Sequence, residues 1–263
     1  MFGVVPRPLW EKKNQPDSRN RCLFAMRSLL ISEGDRLILV DTGLGDKQDE
    51  KFFSFVDPHG PKLLDSLSAA GVVPEDITDV LFTHLHFDHS GGAVRRDGDR
   101  YAPVFPNARH WSNKKHWDWA MEPSPRDRGS FLKENYQPLE QAGMMHWLED
   151  GEELIPGLEV KCFHGHTESM LIPHIKHKGK TLVFMADMQP SLAHLPISWV
   201  MAYDLRPLTT ISERTEFLKD AVDKDYVLMF EHDAFHECCT LKSEEVKGQT
   251  RLSEDQIFRL EDW

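Results

Sequence analysis

Residues 83–92 read THLHFDHSGG, and their reading decides the rest of the chain. Three histidines and an aspartate fall within six positions, directly after the apolar run DVLFT at 79–83. In an extended segment His84, His86 and Asp88 alternate onto one side. A curl after Phe87 would turn His89 to that side as well, and Ser90-Gly91-Gly92 permits a tight turn and a close helix start. Four such groups left uncompensated in a core would be costly, because buried polar groups need partners. Imidazole with carboxylate suits zinc and other borderline divalent ions, so the spacing points to a metal site.

Outward from this stretch, strand, helix and strand alternate. LILV at 37–40 ends in Asp41-Thr42-Gly43, a strand followed by a turn. Pro61 opens a helix with Leu63, Leu64, Leu67 and Ala70 on one face, stopped by Gly71. Together with 79–83 this is a βαβ-type unit. Residues 113–144 read as helical and aromatic-rich, interrupted by EPSPRDRG. LEVKCF (158–163) is a strand, and 170–187 a hairpin turning at Lys178-Gly179-Lys180. Thr210 and Glu213 have capping-box spacing before a helix through Val222, and YVLMF (226–230) is the last strong strand. Four apolar runs end in His or Asp: at Asp41, His84, Asp187 and His232. Water at a strand end explains one such residue, but hardly four of only two types.

The 263 residues carry no internal repeat or low-complexity linker, which predicts one domain over 1–263. Hydrophobic residues make up 40% and charged residues 28%, as in a soluble globular protein. A net charge of −12 argues against nucleic-acid and anionic-membrane partners. No apolar run reaches the ~20 residues of a membrane span. The N-terminal stretch, broken by Pro6, Arg7 and Pro8, lacks the form of a signal peptide, which predicts a cytoplasmic protein. Cys22, Cys162 and the adjacent Cys238 and Cys239 lack C-x-x-C spacing and read as reduced thiols.

DTG (41–43), HLHFDHSGG, GHT (165–167), AD (186–187) and EHD (231–233), in that order, resemble the metallo-β-lactamase superfamily of hydrolases over most of the chain. The resemblance implies an α/β fold, the αββα sandwich, with two mixed β-sheets face to face and helices outside. It implies two divalent metal ions, zinc first, with iron, manganese or cobalt as alternatives. His84, His86 and His166 would hold one; Asp88, His89 and His232 the other; Asp187 would bridge them, with Asp41 behind the ligands. His164, His59, His110, His116, His146, His174, His177, His194 and His236 read as surface or satisfied histidines, with His194 and His236 as the first exceptions.

Two such metals lower the pKa of a bridging water, and the hydroxide attacks an ester-like carbonyl or a phosphoryl centre. Asp88 would pass a proton to the leaving group, and no G-x-S-x-G nucleophile is present. Asp187 stands where β-lactamases of the superfamily commonly have cysteine. The segments GVVPRPLWEKK and AHLPISWVMAYDLRPL are similar to the quorum-quenching N-acyl-homoserine lactone lactonase branch, so a lactone is the expected small-molecule substrate. Trp10, Phe52, Phe53, Phe55, Leu195 and Trp199 are candidates for an acyl pocket, or else for core or a homodimer interface. The branch's tyrosine after the bridging aspartate is replaced by Pro190, with Tyr203 a substitute in the same loop, and GHTES departs from GHTPG. Alternatives on the same ligands are phosphodiester, phosphotriester or thioester hydrolysis, an iron-dependent persulfide dioxygenase, and a non-catalytic binding module.

Overall fold

A computed structural model describes residues 1–246 and 249–263. The chain divides into two compact units, 28–148 and 1–27 with 149–263, and each carries its own sheet.

In the unit 28–148 the strands are β1 (Leu29–Glu33), β2 (Arg36–Val40), β3 (Asp79–Leu81), β4 (Val94–Asp97), β5 (Arg100–Pro103), β6 (Arg109–Ser112) and β7 (Met145–Trp147). The sheet order is β1-β2-β3-β6-β7, with β4 and β5 as a separate hairpin. The β1–β2 pair is antiparallel and the other pairs in this sheet are parallel, so the sheet is mixed. Helices Glu50–Val56 and Leu63–Ala69 cross from β2 to β3, as the βαβ reading required. Leu39, Val80, Phe82, Leu85, Phe105 and Tyr136 lie buried in one apolar cluster. The parallel register Val40↔Leu81 brings the ends of β2 and β3 level, and Asp41 N–H donates to Leu81 O at 3.0 Å. That is the carboxyl edge of the strands, where open α/β sheets place their sites.

The expected helical stretch 113–144 is broken instead. An α-helix covers only Lys114–Met121, followed by single turns at Arg128–Ser130 and Lys133–Asn135 and a short helix at Gln137–Gln141. Pro123, Pro125 and Gly129 interrupt the backbone ladder, and the aromatic residues pack without helical periodicity.

In the other unit β8 (Glu153–Ile155), β9 (Leu158–Phe163), β10 (Met170–His177), β11 (Lys180–Phe184), β12 (Val227–Met229), β13 (Cys238–Val246) and β14 (Gln249–Phe258) form a second mixed sheet, ordered β14-β13-β12-β11-β10-β9-β8. The β10–β11 hairpin turns at Lys178-Gly179, where φ values of 47° and 79° give the left-handed backbone of a two-residue turn. β11 and β12 are parallel, joined through the helix Pro207–Asp223, so the residues following both strands emerge at one edge.

Two expectations fail in this unit. Thr210 lies inside the helix, which begins at Pro207, because proline at the first helical position outcompetes a cap three residues later. Glu213 instead accepts from the backbone N–H groups of His164 and Gly165, at 2.8 and 3.0 Å. The β13–β14 hairpin follows the strand read as the last strong one; its many charges mask the strand pattern. Cys238 and Cys239 are buried, unbridged thiols on β13, and burial raises both to about 12. Among the described residues no helix is long and apolar enough to cross a membrane.

Candidate metal centre

In the unit 28–148 the chain leaves β3 extended and turns helical at Phe87–Ser90, the curl that His89 needs. Gly91 and Gly92 let this turn sit on the backbone after β2: a Cβ would lie 2.1 Å from Leu44 O at Gly91 and 2.1 Å from Thr42 O at Gly92. His84, His86 and His89 are buried, while Asp88 keeps 29% of its side chain exposed.

The imidazoles are oriented by a relay. Asp41 is buried, with φ of 53°, and its carboxylate accepts from Thr83 N–H at 2.8 Å, Thr83 Oγ1 at 2.6 Å and His89 Nδ1 at 3.0 Å. Since the Thr83 hydroxyl proton goes to Asp41, His84 Nδ1 donates to Thr83 Oγ1 at 3.1 Å, which leaves the lone pair on Nε2. That Nε2 lies 2.9 Å from His86 Nδ1. His89 Nε2 lies 3.9 Å from Asp88 Oδ1. Between the first two histidines, Leu85 N–H donates to His116 Nε2 at 2.8 Å and ties the loop down.

The other unit has a carboxylate between two imidazoles. His166 Nε2 stands 3.0 Å from Asp187 Oδ2, and His232 Nε2 stands 3.0 Å from Asp187 Oδ1. Each ring is fixed from behind: His166 Nδ1 donates to Asp204 at 3.0 Å and His232 Nδ1 donates to Ala25 O at 2.8 Å. Burial favours neutral His166, but Asp187 and Asp204 outweigh it and raise the imidazole to about 9. Burial likewise opposes ionised Asp187, and the two histidines overcome it, holding the carboxyl well below its usual range. Ala186 before it has φ of 40°, an unusual conformation for alanine.

Within one unit His84 lies beside His86 and Asp88 beside His89, within the other Asp187 lies between His166 and His232, and Asp41 accepts from His89. These donors are imidazole nitrogens and carboxylate oxygens, all buried except the partly exposed Asp88 and close to one another within each unit, a set that fits borderline divalent ions. Sequence reasoning missed Thr83, Asp204, His116 and the Ala25 carbonyl as hydrogen-bond partners here. Only Thr83, the first residue of the motif, carried a signal. His110, His174 and His194 are buried, and burial lowers them to about 4, 4 and 3.

The aromatic candidates separate. Phe52 packs edge-on to Phe53 and Phe87 in one unit, with centroids at 5.7 and 5.2 Å, whereas Phe55 is exposed. In the other unit Trp10 and Trp199 flank Phe2, at 5.3 and 6.1 Å. Leu195 lines a cleft of about 1010 Å³ with Pro196, Ile197 and Phe235.

The model of the metallo-beta-lactamase superfamily matches residues 27–232. The chain belongs to that superfamily. A solved structure of a probable metal-dependent hydrolase from Staphylococcus aureus superposes on this superfamily member with a TM-score of 0.88 at 27% identity, covering 99% of this chain and 91% of the other. AidC, a dizinc quorum-quenching lactonase solved with a product N-hexanoyl-homoserine, superposes with a TM-score of 0.69 at 22% identity, over 90% of this chain and 81% of its own. N-acyl homoserine lactonase AttM of Agrobacterium fabrum is 29% identical over 73 residues, 28% of this chain. That match spans 24% of the relative's length. The metallo-β-lactamase fold is the one expected from the motifs.

Proposed function

We propose that this protein is a dinuclear metal-dependent hydrolase that opens a lactone, of the N-acyl-homoserine lactone type. The observation that supports the two-metal reading is Asp187: its two oxygens each lie 3.0 Å from a different histidine nitrogen, so that one carboxylate stands between two imidazoles. In this reading His84, His86 and His166 hold one ion, Asp88, His89 and His232 the second, and Asp187 both. In this reading residues 1–263 act as one hydrolase domain.

Bound divalent ions would supply Lewis acidity and a water acidic enough to act as nucleophile near neutral pH. The residues of the chain do the rest. Asp41 and Thr83 hold His84 and His89 in the tautomers that present Nε2, and Ala25 O does the same for His232. Asp88 would accept a proton and deliver it to the leaving alkoxide, a reading supported by its partly exposed carboxylate.

A lactone is favoured as substrate because the curated relative is a lactonase and AidC was solved with a ring-opened product. Zinc is the first candidate metal on donor chemistry. The test is elemental analysis of purified protein, followed by a pH-indicator screen of lactones, aryl phosphates and thioesters. Two zinc ions per chain and proton release from lactones are expected. Turnover of phosphate esters with none of any lactone would overturn the substrate assignment.

A further inference from the structure

His166 lies in a segment whose backbone is clamped to the one carrying Asp204. Leu205 N–H donates to His166 O at 3.0 Å and Arg206 N–H donates to Gly165 O at 2.9 Å. Arg206 also donates to His164 O at 2.7 Å and to Glu168 at 2.8 Å. Glu213 takes the N–H groups of His164 and Gly165 from the other side. The approach is so close that a Cβ on Gly165 would meet Thr210 backbone nitrogen at 2.5 Å. This fixed register puts the Asp204 carboxylate 3.0 Å from His166 Nδ1, with both side chains 1% exposed.

The same loop is anchored at its other positions. Arg214, buried on the helix Pro207–Asp223, donates to Gln189 Oε1 at 3.2 Å, to Trp199 O at 3.0 Å and to His194 O. The segment running from Asp187 to Asp204 therefore has both ends on His166, Asp187 at Nε2 and Asp204 at Nδ1, and its middle on one guanidinium.

We propose that Asp204 is the positioning residue for His166: it holds the proton on Nδ1 and so commits the Nε2 lone pair to a metal ion. This rests on His166 being a ligand, as argued above. A carboxylate behind a ligating imidazole fixes tautomer and ring orientation and raises ligand basicity; its loss costs about 10–100-fold in metal affinity.

The experiment compares wild type, Asp204→Ala and Asp204→Asn, each stripped of metal and titrated with Zn2+ against a chromophoric chelator. The imidazole nitrogens of the zinc-loaded proteins are then read by 15N NMR. Asp204→Ala should weaken zinc at one of two sites by about 10–100-fold and lose the Nδ1-protonated signature of His166. Asp204→Asn, whose Oδ1 still accepts from Nδ1, should keep that signature with a smaller loss, and it serves if the alanine variant does not fold. Two zinc ions bound at wild-type affinity, with His166 still protonated on Nδ1 in Asp204→Ala, would overturn the positioning role alone. Wild-type protein that binds no zinc would overturn the ligand assignment beneath it.

Discussion

His89 donates from Nδ1 to the carboxylate of Asp41 at 3.0 Å, across 48 positions of sequence. The same carboxylate accepts from both the amide and the hydroxyl of Thr83, so one buried aspartate orients two of the proposed ligands, His89 directly and His84 through Thr83. Asp41→Ala should therefore weaken zinc binding by about 10–100-fold and destabilise the fold by about 1–3 kcal/mol through donors left unpaired. Chelator-competition titration and urea unfolding check the two effects. Unchanged zinc affinity would show that the relay does not act on the ligands.

Asp187→Ala removes the group shared by His166 and His232. Metal content should fall at both sites, and turnover should fall by more than about 100-fold, beyond the cost of losing an outer partner. Elemental analysis showing full occupancy of both sites would refute the bridging role.

Gly91→Ala places a Cβ 2.1 Å from Leu44 O, a contact only backbone movement relieves. We expect a loss of about 1–3 kcal/mol in urea unfolding, together with weaker zinc binding, because the turn carrying Asp88 and His89 must shift. Gly129→Ala, with nothing within 4 Å of its Cβ, is the control and should be near neutral.

His174 is buried between Phe217 and Tyr226, and burial lowers it from 6.5 to about 4. Above pH 6.5 it is neutral in both folded and unfolded chains, and its contribution to stability is complete. As the pH falls from 6.5 toward 4, only the unfolded chain takes the proton, so that contribution is lost at up to about 1.4 kcal/mol per pH unit. The melting-temperature gap between wild type and His174→Gln should narrow between pH 7.5 and pH 5. A constant gap would contradict the assignment.

Removal of metal with a chelator should lower the melting temperature, because ions that bind only the folded chain stabilise it by mass action. Re-addition of Zn2+ should restore it. An unchanged melt would speak against ligation by buried histidines.

How far the sequence could be read depended on distance along the chain. The motif at 83–92, the βαβ unit and the β10–β11 turn were legible because strand alternation, helix start and turn chemistry are set by neighbours within about ten residues. The broken 113–144 stretch and the helix start at Pro207 were misread where a proline overrode a weaker pattern. Glu213 was misassigned because its partners, His164 and Gly165, lie 49 and 48 residues away.

What the sequence determined by itself was the family and the chemistry on offer: seven imidazoles and carboxylates proposed as ligands, in their order along the chain. What only the tertiary structure decided was their orientation. A histidine can present either nitrogen, and the choice is made by whatever meets the other one. Here that is Thr83 for His84, Asp41 for His89, Asp204 for His166 and the Ala25 carbonyl for His232. Apart from Thr83, these partners are brought in by strand pairing and loop closure over tens to hundreds of residues, which no local pattern encodes.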